Sequence, residues 1–423
     1  MNLKFLAELV ELNTNSERKS NYGECAELIK KEAERIGLGV DVYRSNRKPN
    51  LIISLQAPEK PTLLLATHYD VVPAGEGWKY PPFKLTIKNG KLYGRGAADD
   101  KGGILSALSA LETLKKRNSS KVNVKLLVTC DEEVGGEDGI GFLMKLKKRG
   151  EFIVNGDVAI LIDAGPRVYI GSSGRVAGRI AMRGKSTEIV SLLSDVINYS
   201  KVRGRVVSSL ISASTKRRIW GRISVTMLNL SCGAVEYAKA GVKSNIIPGE
   251  LRVKLRGRKQ LVIKGRQGHA GYPHLAVNPI EKALPLLKRN MGGEGRCEIV
   301  FDLRTIPEET LQSAVADLRK YLADKSKAKF DLIEKSEGYS LPETHPFVEM
   351  MKKATGERKA YGTLGGTDAH FFVKRGIPSI CFGPIADDSN VHGKDEFVRV
   401  KDLEFVSNSI VKLCESWNYN FSS

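Results

Sequence analysis

The chain has 423 residues, enough for two or three domains, and a formal net charge of +19 at pH 7. Its 41% hydrophobic and 27% charged residues are typical of a folded globular protein, which argues against the disordered and fibrous classes. No run of 18 or more apolar residues occurs, so we expect no membrane span.

The N-terminal part of the chain alternates helical and strand-like patterns. Residues 1–18 read as an amphipathic helix, and residues 22–36 predict a helix that ends at Gly37. Strands are predicted at 40–43, 51–55, 62–67, 122–129 and 158–162. Helices are predicted between the later strands, at 104–115 and 139–147. This alternation indicates an α/β sheet that is covered by helices.

The pattern changes after residue 171. Strand patterns at 179–183, 223–230, 251–255, 261–264 and 298–303 accompany two or more helices, which predicts an inserted α+β domain. An α/β pattern returns near residue 329. We therefore expect one domain in two parts, residues 1–171 and 329–423, around an inserted domain at residues 172–328.

The positive charge is concentrated in residues 172–222, where 11 Lys and Arg residues stand against two acids, Glu188 and Asp195. A nucleic-acid surface is one interpretation of such a stretch. Few aromatic residues and no recognisable nucleic-acid motif occur there, so we favour a solvated basic face or a field that attracts anionic substrates.

The six cysteines are isolated from one another, without a CxxC pair. The N-terminus lacks the basic start and apolar middle of a secretion signal. Together these features predict reduced thiols in a cytoplasmic protein.

Acidic and histidine side chains follow several of the apolar strands. His68 and Asp70 end the first, and alternation along a strand makes them face the same way, so that Asp70 can orient the imidazole. Further metal-capable side chains are Asp99, the run Asp131, Glu132 and Glu133, Asp163, and, far downstream, His392. Because ligands collect at the carboxyl ends of strands in open α/β sheets, we expect these groups to converge. So many acids would repel one another without cations between them, and oxygen-rich sites with one histidine per metal suit zinc, cobalt or manganese.

Each cluster alone has a simpler explanation. Asp99 and Asp100 lie in a glycine-rich stretch, residues 94–103, directly before a helix, where carboxylates serve as caps. An Asp-Glu-Glu run is usually a polar loop. A phosphate-binding loop is excluded at 94–103, since the GxxxxGK[ST] pattern is missing and two aspartates would repel phosphate. The five clusters in order favour a metal site.

The motifs that carry these residues resemble a known enzyme family. They read LLLATHYDVVPAG, LYGRGAADDKGG, TCDEEVGG, GRQGHAGYPHLAVNPI, DLRTIPEE, GGTDAHFF and NVHGKDEFV, and they span about residues 60 to 400. The resemblance is to the co-catalytic zinc metallopeptidase family that contains acetylornithine deacetylase, succinyl-diaminopimelate desuccinylase, aminoacylase, glutamate carboxypeptidase and several dipeptidases. It implies an α/β fold: a zinc-peptidase-like catalytic domain with a helix-covered mixed sheet, and an inserted α+β, ferredoxin-like lid that also dimerises.

The resemblance also implies a ligand set for two divalent metal ions, with zinc expected and cobalt or manganese as alternatives. His68, Asp99 and Asp163 would hold one ion, and Asp99, Glu133 and His392 would hold the other. Asp99 would thus bridge the two ions.

Two further carboxylates have implied roles at the same place. Asp70 would support His68, and Glu132 would be the general base that takes a proton from the attacking water. The alternative, in which Glu133 is the base and Glu132 the ligand, stays open from the sequence alone.

In the inserted domain, the resemblance implies that His269 stabilises the oxyanion, either in its own subunit or across a homodimer. His274 is interpreted as structural. Candidates for holding a substrate carboxylate are Asn245, Arg304, Gly365, Gly366 and Thr367. An arginine fork suits a carboxylate, although a structural ion pair explains Arg304 equally well.

The sequence departs from the family pattern in three places. The lid histidine of the family usually precedes the Asn-x-Ile-Pro segment, whereas here residues 244–253 come before 268–274, and extra sequence at 186–230 separates two similar segments. Asp163 stands where deacetylase and carboxypeptidase branches often have glutamate and where aminopeptidase and dipeptidase branches have aspartate. His370 replaces a smaller residue or arginine, and we assign it no role.

We therefore expect a dimeric, two-metal hydrolase that cleaves an amide or peptide bond beside a free carboxylate. Its substrate would be a small anionic N-acyl amino acid, such as succinyl-diaminopimelate or acetylornithine, or a short peptide. A dipeptidase or aminopeptidase of the same family is the first alternative. A non-catalytic binding protein with a basic, nucleic-acid-binding lid is the alternative of another class.

Overall fold

The computed structural model of the protein describes residues 1–57, 60–202, 223–241, 243–271, 273, 276–306, 309–322, 328–363 and 365–418. The chain forms two structural units. The first comprises Met1–Ile170, Leu341–Tyr361 and Thr367–Ser423, and the second comprises Gly171–Ser340 and Gly362–Gly366.

The helices fall largely where apolar residues recur at helical spacing. They are α1 (Leu3–Glu11), α2 (Tyr22–Ile36), α3 (Lys101–Arg117), α4 (Ile140–Lys145), α5 (Ser186–Val202), α6 (Pro279–Arg289), α7 (Leu311–Leu322), α8 (Pro346–Thr355), α9 (Ala369–Val373) and α10 (Val400–Glu415). The predicted bounds of α2 are confirmed. The helix ends at Gly37, whose left-handed φ of 82° lets its N–H and that of Leu38 reach the last carbonyls of the helix.

The strands of the N-terminal part of the chain are β1 (Gly39–Ser45), β2 (Lys48–Leu55), β3 (Thr62–His68), β4 (Thr86–Lys88), β5 (Lys91–Tyr93), β6 (Asn123–Thr129), β7 (Lys147–Lys148), β8 (Glu151–Phe152), β9 (Val158–Leu161) and β10 (Tyr169–Ser172). Those of the inserted part are β11 (Gly174–Lys185), β12 (Ile223–Cys232), β13 (Val235–Ala240), β14 (Ile246–Ile247), β15 (Glu250–Leu255), β16 (Leu261–Lys264), β17 (Gly268–His269), β18 (Glu294–Thr305), β19 (Ala328–Ser336) and β20 (Tyr339–Ser340). Those that follow are β21 (Tyr361–Thr363), β22 (Ser379–Cys381) and β23 (Phe397–Arg399).

The main sheet of the first unit is mixed, as predicted, and runs in the order β1-β2-β6-β3-β9-β22-β10. At its centre β3 pairs parallel with both β6 and β9, and β9 pairs parallel with β22. The central strands are buried along most of their length, which explains their continuous apolar sequences. Because they are parallel, the carboxyl ends of β3, β6 and β9 lie at the same edge of the sheet.

The second unit is an α+β unit built on an antiparallel seven-stranded sheet in the order β16-β15-β13-β12-β18-β11-β19. Apolar residues of α5, α6 and α7, among them Leu193, Ile280 and Leu318, pack with inward residues of the strands in one buried cluster.

Strand β19 places the end of the second unit later than the sequence indicated. Residues 328–336 pair antiparallel with β11, so the predicted boundary at 328 falls at the start of a sheet strand, and the unit continues to Ser340. Gly362–Gly366 also belongs to it. The alternating sequence of β19 resembles the strands on either side and gives no boundary signal.

None of the helices in the described part of the chain is both long and apolar enough to cross a membrane. The six cysteines are all buried as free thiols. Residues 203–222, which carry much of the basic stretch singled out from the sequence, lie outside the described residues.

Candidate metal centre

The edge where the parallel strands end carries the predicted ligands of the first unit. His68 is the last residue of β3, Asp163 follows β9 by two residues, and Glu133 lies in the 3₁₀ turn Glu132–Val134 just after β6. Asp99 lies in the loop that leads into α3, and His392 in the loop before β23. The structure therefore brings together side chains from five separate segments.

Asp99 lies between the two histidines. Its Oδ1 is 3.0 Å from Nε2 of His68, and its Oδ2 is 3.1 Å from Nε2 of His392. The same nitrogen of His392 is 3.1 Å from Oε1 of Glu133. The two oxygens of one carboxylate thus face two different imidazoles, which is the arrangement of a bridging ligand.

Two groups of side chains are placed to hold a metal ion. In His68, Asp99 and Asp163, and again in Asp99, Glu133 and His392, one ligand atom from each residue lies within 4.8 Å of the others. Each group offers one imidazole nitrogen and two carboxylate oxygens, a donor set that suits zinc or another first-row divalent ion. The residues present therefore fit two ions that share Asp99.

The charges of the cluster show why cations suit it. Burial raises the pKa of Asp163 well above its ordinary value, and the charge of Asp99 raises it further. Burial also tends to raise the pKa of Asp99, but hydrogen bonds with His392 and His68 hold it below its usual range. For His392 burial opposes protonation, yet Glu133 and Asp99 raise its pKa to about 10. Each shift reflects carboxylates crowded into a site with little water.

Asp70 holds two parts of the centre. Its backbone carbonyl is 3.0 Å from Nδ1 of His68, and its carboxylate is 3.4 Å from the same nitrogen. The carboxylate also accepts the backbone N–H groups of Glu132 and Glu133, each at 3.3 Å. It therefore orients the imidazole and the turn that carries the two glutamates.

Glu132 belongs to neither ligand group. Burial raises the pKa of its carboxyl well above the ordinary value, and the charge of Asp163 adds to this. A buried carboxyl with a raised pKa that adjoins the two ligand groups is a candidate general base.

The sequence did not single out several charged residues of the same unit. Lys48 is buried and pairs with Asp131, next to the glutamates, and with Asp138 at 2.7 Å. Asp368, in the GGTDAH motif, is buried, and burial raises its pKa to about 7. Its carboxylate adjoins Gly136, which follows the turn. The position of Asp368 in the GGTDAH motif could have identified it from the sequence. No sequence feature marks Lys48.

In the second unit, the two segments whose order is unusual lie side by side. Ile246 in β14 pairs with His269 in β17, and the N–H of Ala270 donates to the backbone oxygen of Asn245 at 2.8 Å. The Oδ1 of Asn245 is buried and has no hydrogen-bond partner among the residues that the structure describes. The side chain of His269 and all of His274 lie outside the described residues.

The sequence did not decide whether Arg304 binds substrate or forms a structural ion pair, and the structure shows it in an ion pair. Its Nε donates to Asp302 at 2.7 Å, and the same carboxylate accepts Nε of Arg175 at 2.6 Å. All three side chains are buried. The Arg304 guanidinium also adjoins Gly366, so that the arginine and this glycine, two predicted substrate contacts, are neighbours within the second unit.

The remaining predicted contacts lie in one short segment. The N–H of Gly365 donates to the hydroxyl of Thr363 at 3.1 Å, and the hydroxyl of Thr367 accepts the N–H of Ala369 at 3.2 Å. His370, to which no role was assigned, has Nδ1 3.0 Å from the carbonyl of Thr367.

Comparison with known sequences bears on this arrangement. The sequence model of peptidase family M20/M25/M40 matches residues 64–416, a stretch that includes every residue of both ligand groups. The chain belongs to this family. It is therefore a hydrolytic enzyme of the metallopeptidase type, and the family binds two metal ions.

Individual members of the M20 family resemble the whole chain. A succinyl-diaminopimelate desuccinylase from Thioalkalivibrio sulfidiphilus is 27% identical in an alignment 428 positions long that covers 90% of each chain. An M20 metallo-carboxypeptidase from Sulfolobus solfataricus superposes with a TM-score of 0.69 at 19% identity, covering 98% of each chain. A dipeptidase from Saccharomyces cerevisiae gives a TM-score of 0.68 at 16% identity, over 98% of this chain and 95% of that one. The structural likenesses show the shared M20 fold.

Proposed function

We propose that this M20 enzyme uses two metal ions to cleave the amide or peptide bond of an N-acyl amino acid or short peptide that carries a free carboxylate. The observation that carries the proposal is the sharing of Asp99 between two three-residue ligand groups, with Glu132 outside both. Two-ion sites with a neighbouring carboxylate are suited to hydrolysis of such bonds.

The ligands would be His68, Asp99 and Asp163 for one ion, and Asp99, Glu133 and His392 for the other. Zinc is the expected metal, with cobalt or manganese as alternatives. When bound, the two ions would polarise the scissile carbonyl and lower the pKa of the attacking water.

The residues of the chain have separate tasks in the proposed reaction. Glu132 accepts the proton of the attacking water and delivers it to the departing amine. Asp70 keeps the backbone of Glu132 and the ring of His68 in place through the hydrogen bonds described above. Burial raises the pKa of Glu132, which makes its carboxylate a stronger base than an ordinary one.

Most of the proposed substrate contacts are residues of the second unit, and Thr367 belongs to the first. The buried Oδ1 of Asn245, which has no hydrogen-bond partner within the described part of the chain, supports a polar contact with substrate, and the adjacent backbone carries His269, the proposed oxyanion donor. The segment Gly365, Gly366 and Thr367 has little side-chain bulk, and the backbone N–H groups of Gly366 and Thr367 are the proposed donors to a carboxylate, because that of Gly365 donates to Thr363. Arg304 is engaged with Asp302, so we propose that it orders the loop at Gly366 and contributes its charge from there.

A dipeptidase or aminopeptidase activity is the second candidate. Asp163 favours it, because the resemblance associates an aspartate at this position with those branches, and the likeness to a yeast dipeptidase is compatible with it. The non-catalytic alternative is not retained, since the family relationship indicates a hydrolytic enzyme. The homodimer, the cytoplasmic location and the lid role of the second unit stay predictions.

The test is amide hydrolysis by protein that has been loaded with zinc or with cobalt. The panel contains N-succinyl and N-acetyl amino acids, dipeptides and carboxypeptidase substrates, each assayed with and without a chelator. We expect chelator-sensitive cleavage of a substrate with a free carboxylate. Preference for unblocked dipeptides would favour the second candidate, and no cleavage of any substrate by protein that holds two ions would contradict both.

A further inference from the structure

A buried ion pair joins the loops around the proposed centre without belonging to either ligand group. Arg95 is 1% exposed and Glu396 is fully buried, and the two side chains pair through Nη1 of Arg95 and Oε2 of Glu396. Arg95 lies in the loop that leads to Asp99, and Glu396 lies four residues after His392. The two partners are 301 residues apart in sequence.

Glu396 fixes the backbone of the proposed bridging residue. Its other oxygen, Oε1, accepts the N–H of Ala98 at 3.0 Å and the N–H of Asp99 at 3.2 Å. The backbone carbonyl of Glu396 also accepts the N–H of Gly94 at 3.0 Å. The loop before α3 is thus held at both ends by one residue.

Arg95 fixes the two other loops. Its Nη2 donates to the carbonyl of Gly393 at 2.9 Å, directly after His392, and lies 3.5 Å from the carbonyl of Pro73, in the segment that follows β3. The guanidinium lies 5.1 Å from the ring centre of Trp78, which limits its movement on that side. A planar fork can hold a carboxylate and a carbonyl at once, which an ammonium group cannot do with the same fixed geometry.

We propose that the Arg95–Glu396 pair is a positioning device for the ion held by Asp99, Glu133 and His392. The inference rests on the proposed two-ion site. Two of those three ligands, Asp99 and His392, lie on loops that the pair holds through backbone groups, whereas Asp163 makes no contact with the pair among the described residues. The pair therefore sets the distance between Asp99 and His392, and with it the affinity for this ion.

Physical chemistry favours positioning over simple stabilisation. A buried ion pair adds little net stability, because removing both charges from water offsets most of their attraction. Here the side chains of the pair form hydrogen bonds with backbone atoms of the loops that carry the ligands. Positioning groups of this kind commonly change metal affinity by about 10- to 100-fold when they are replaced.

The test compares Glu396→Gln and Arg95→Lys with the wild-type protein. Glu396→Gln keeps an oxygen for the two N–H groups and removes the charge, and Arg95→Lys keeps the charge and removes the fork. Arg375→Lys is the matched control, because Arg375 also donates to backbone carbonyls, those of Met144 and Val154, but contacts no ligand-bearing loop among the residues that the structure describes. Each protein is stripped of metal and titrated with Co²⁺, and both the bound equivalents and the visible absorption of each equivalent are recorded.

We expect the wild-type protein and Arg375→Lys to bind two equivalents. Both test variants should bind the first with a smaller loss of affinity, because Asp99 also serves that ion, and the second about 10- to 100-fold more weakly, with its absorption band appearing only at high Co²⁺. Excess metal should restore kcat without a change in KM. The metal-free melting temperature of Arg95→Lys, which keeps both charges, should be close to that of Arg375→Lys, whereas Glu396→Gln, which leaves the buried Arg95 charge without its partner, should melt lower.

Three outcomes would overturn the inference. If both variants bind two equivalents with wild-type affinity, the pair does not position the ion, and the proposed function is unaffected. If they lose both ions together with a collapse of the melting temperature, the pair has a general structural role. If the wild-type protein itself binds fewer than two ions, the proposed function fails as well, so the failure of either proposal can be distinguished from that of the other.

Discussion

The carboxylate of Asp70 accepts the backbone N–H of Glu132 at 3.3 Å, so the residue that supports the imidazole of His68 also holds the turn with the proposed base. The carboxylate also lies 3.4 Å from Nδ1 of His68, so one buried side chain makes both contacts. The orientation of a metal ligand and the position of the base are therefore linked through one carboxylate, and a change at residue 70 reaches both.

Asp70→Asn is expected to lower both metal affinity and turnover, each by about 10- to 100-fold. The amide keeps the shape of the carboxylate but weakens the acceptors that face His68, Glu132 and Glu133. Metal content after dialysis and kcat are the measurements. Asp157→Asn is the control, since Asp157 also accepts a backbone N–H, that of Thr62 at 2.7 Å, at the opposite end of β3. Equal metal affinity in the two variants would refute the support role.

Glu132→Gln is expected to keep both ions and to lower kcat by about 10²- to 10⁴-fold, because a glutamine cannot accept the proton of the attacking water. The companion variant Glu133→Gln should lose one ion. Glu137→Gln serves as the control, since that exposed carboxylate in the same loop pairs only with Lys145 at 2.6 Å among the described residues. If Glu132→Gln lost an ion and Glu133→Gln kept both, the two roles would have to be exchanged.

The sequence was most informative where one local pattern decides the structure. The bounds of α2 followed from helical spacing and Gly37, and the central strands from apolar runs. Parallel strands place their carboxyl ends together, so the convergence of His68, Glu133 and Asp163 was also foreseeable. The roles assigned to these residues remain predictions for the experiments above.

Long-range pairing was beyond the sequence. Strands β14 and β17 pair through backbone hydrogen bonds although about twenty residues separate them in the chain. The ion pair of Arg304 with Asp302 forms because both side chains are buried together. Lys48 carries no signal at all, because a lysine is buried only when distant acids, here Asp131 and Asp138, fold against it. The cis peptide bond between Asp99 and Asp100 likewise has no signature, since it precedes a residue other than proline.

The contribution of Asp138 to stability is expected to depend on pH. Hydrogen bonds from Lys48 and then Ser45 lower the pKa of Asp138 to about 2, below its ordinary value of 3.8. A lowered pKa in the folded state adds stability that is present above the unfolded pKa and is lost as the pH falls towards the folded pKa. Asp138→Asn should therefore be less stable than the wild type at pH 7, by about 1 kcal/mol for a partly exposed group.

That difference should shrink between pH 4 and pH 2. Urea denaturation of both proteins at pH 7, 4 and 3 gives the free energy of unfolding at each pH. A difference that stayed constant across the three values would show that the carboxylate charge of Asp138 contributes nothing, and that the variant acts through shape alone.

Gly136→Ala is expected to disturb the turn that carries Glu132, the proposed base, by more than the strain of an alanine in a left-handed conformation. Gly136 has a φ of 71°, and Gly376 has a φ of 73°, so an alanine at either position should lower the free energy of unfolding by about 1 kcal/mol. A Cβ on Gly136 would collide with the carboxylate of Asp368, whereas a Cβ on Gly376 would meet nothing within 4 Å. Only Gly136→Ala should therefore move Asp368 and the turn, and lower kcat by about tenfold, equivalent to about 1.4 kcal/mol.

The double variant Gly136→Ala/Asp368→Ser removes the collision and should recover the stability lost beyond that of Gly376→Ala. If the two single variants had the same kcat and the same stability, contact between Gly136 and Asp368 would not constrain the turn.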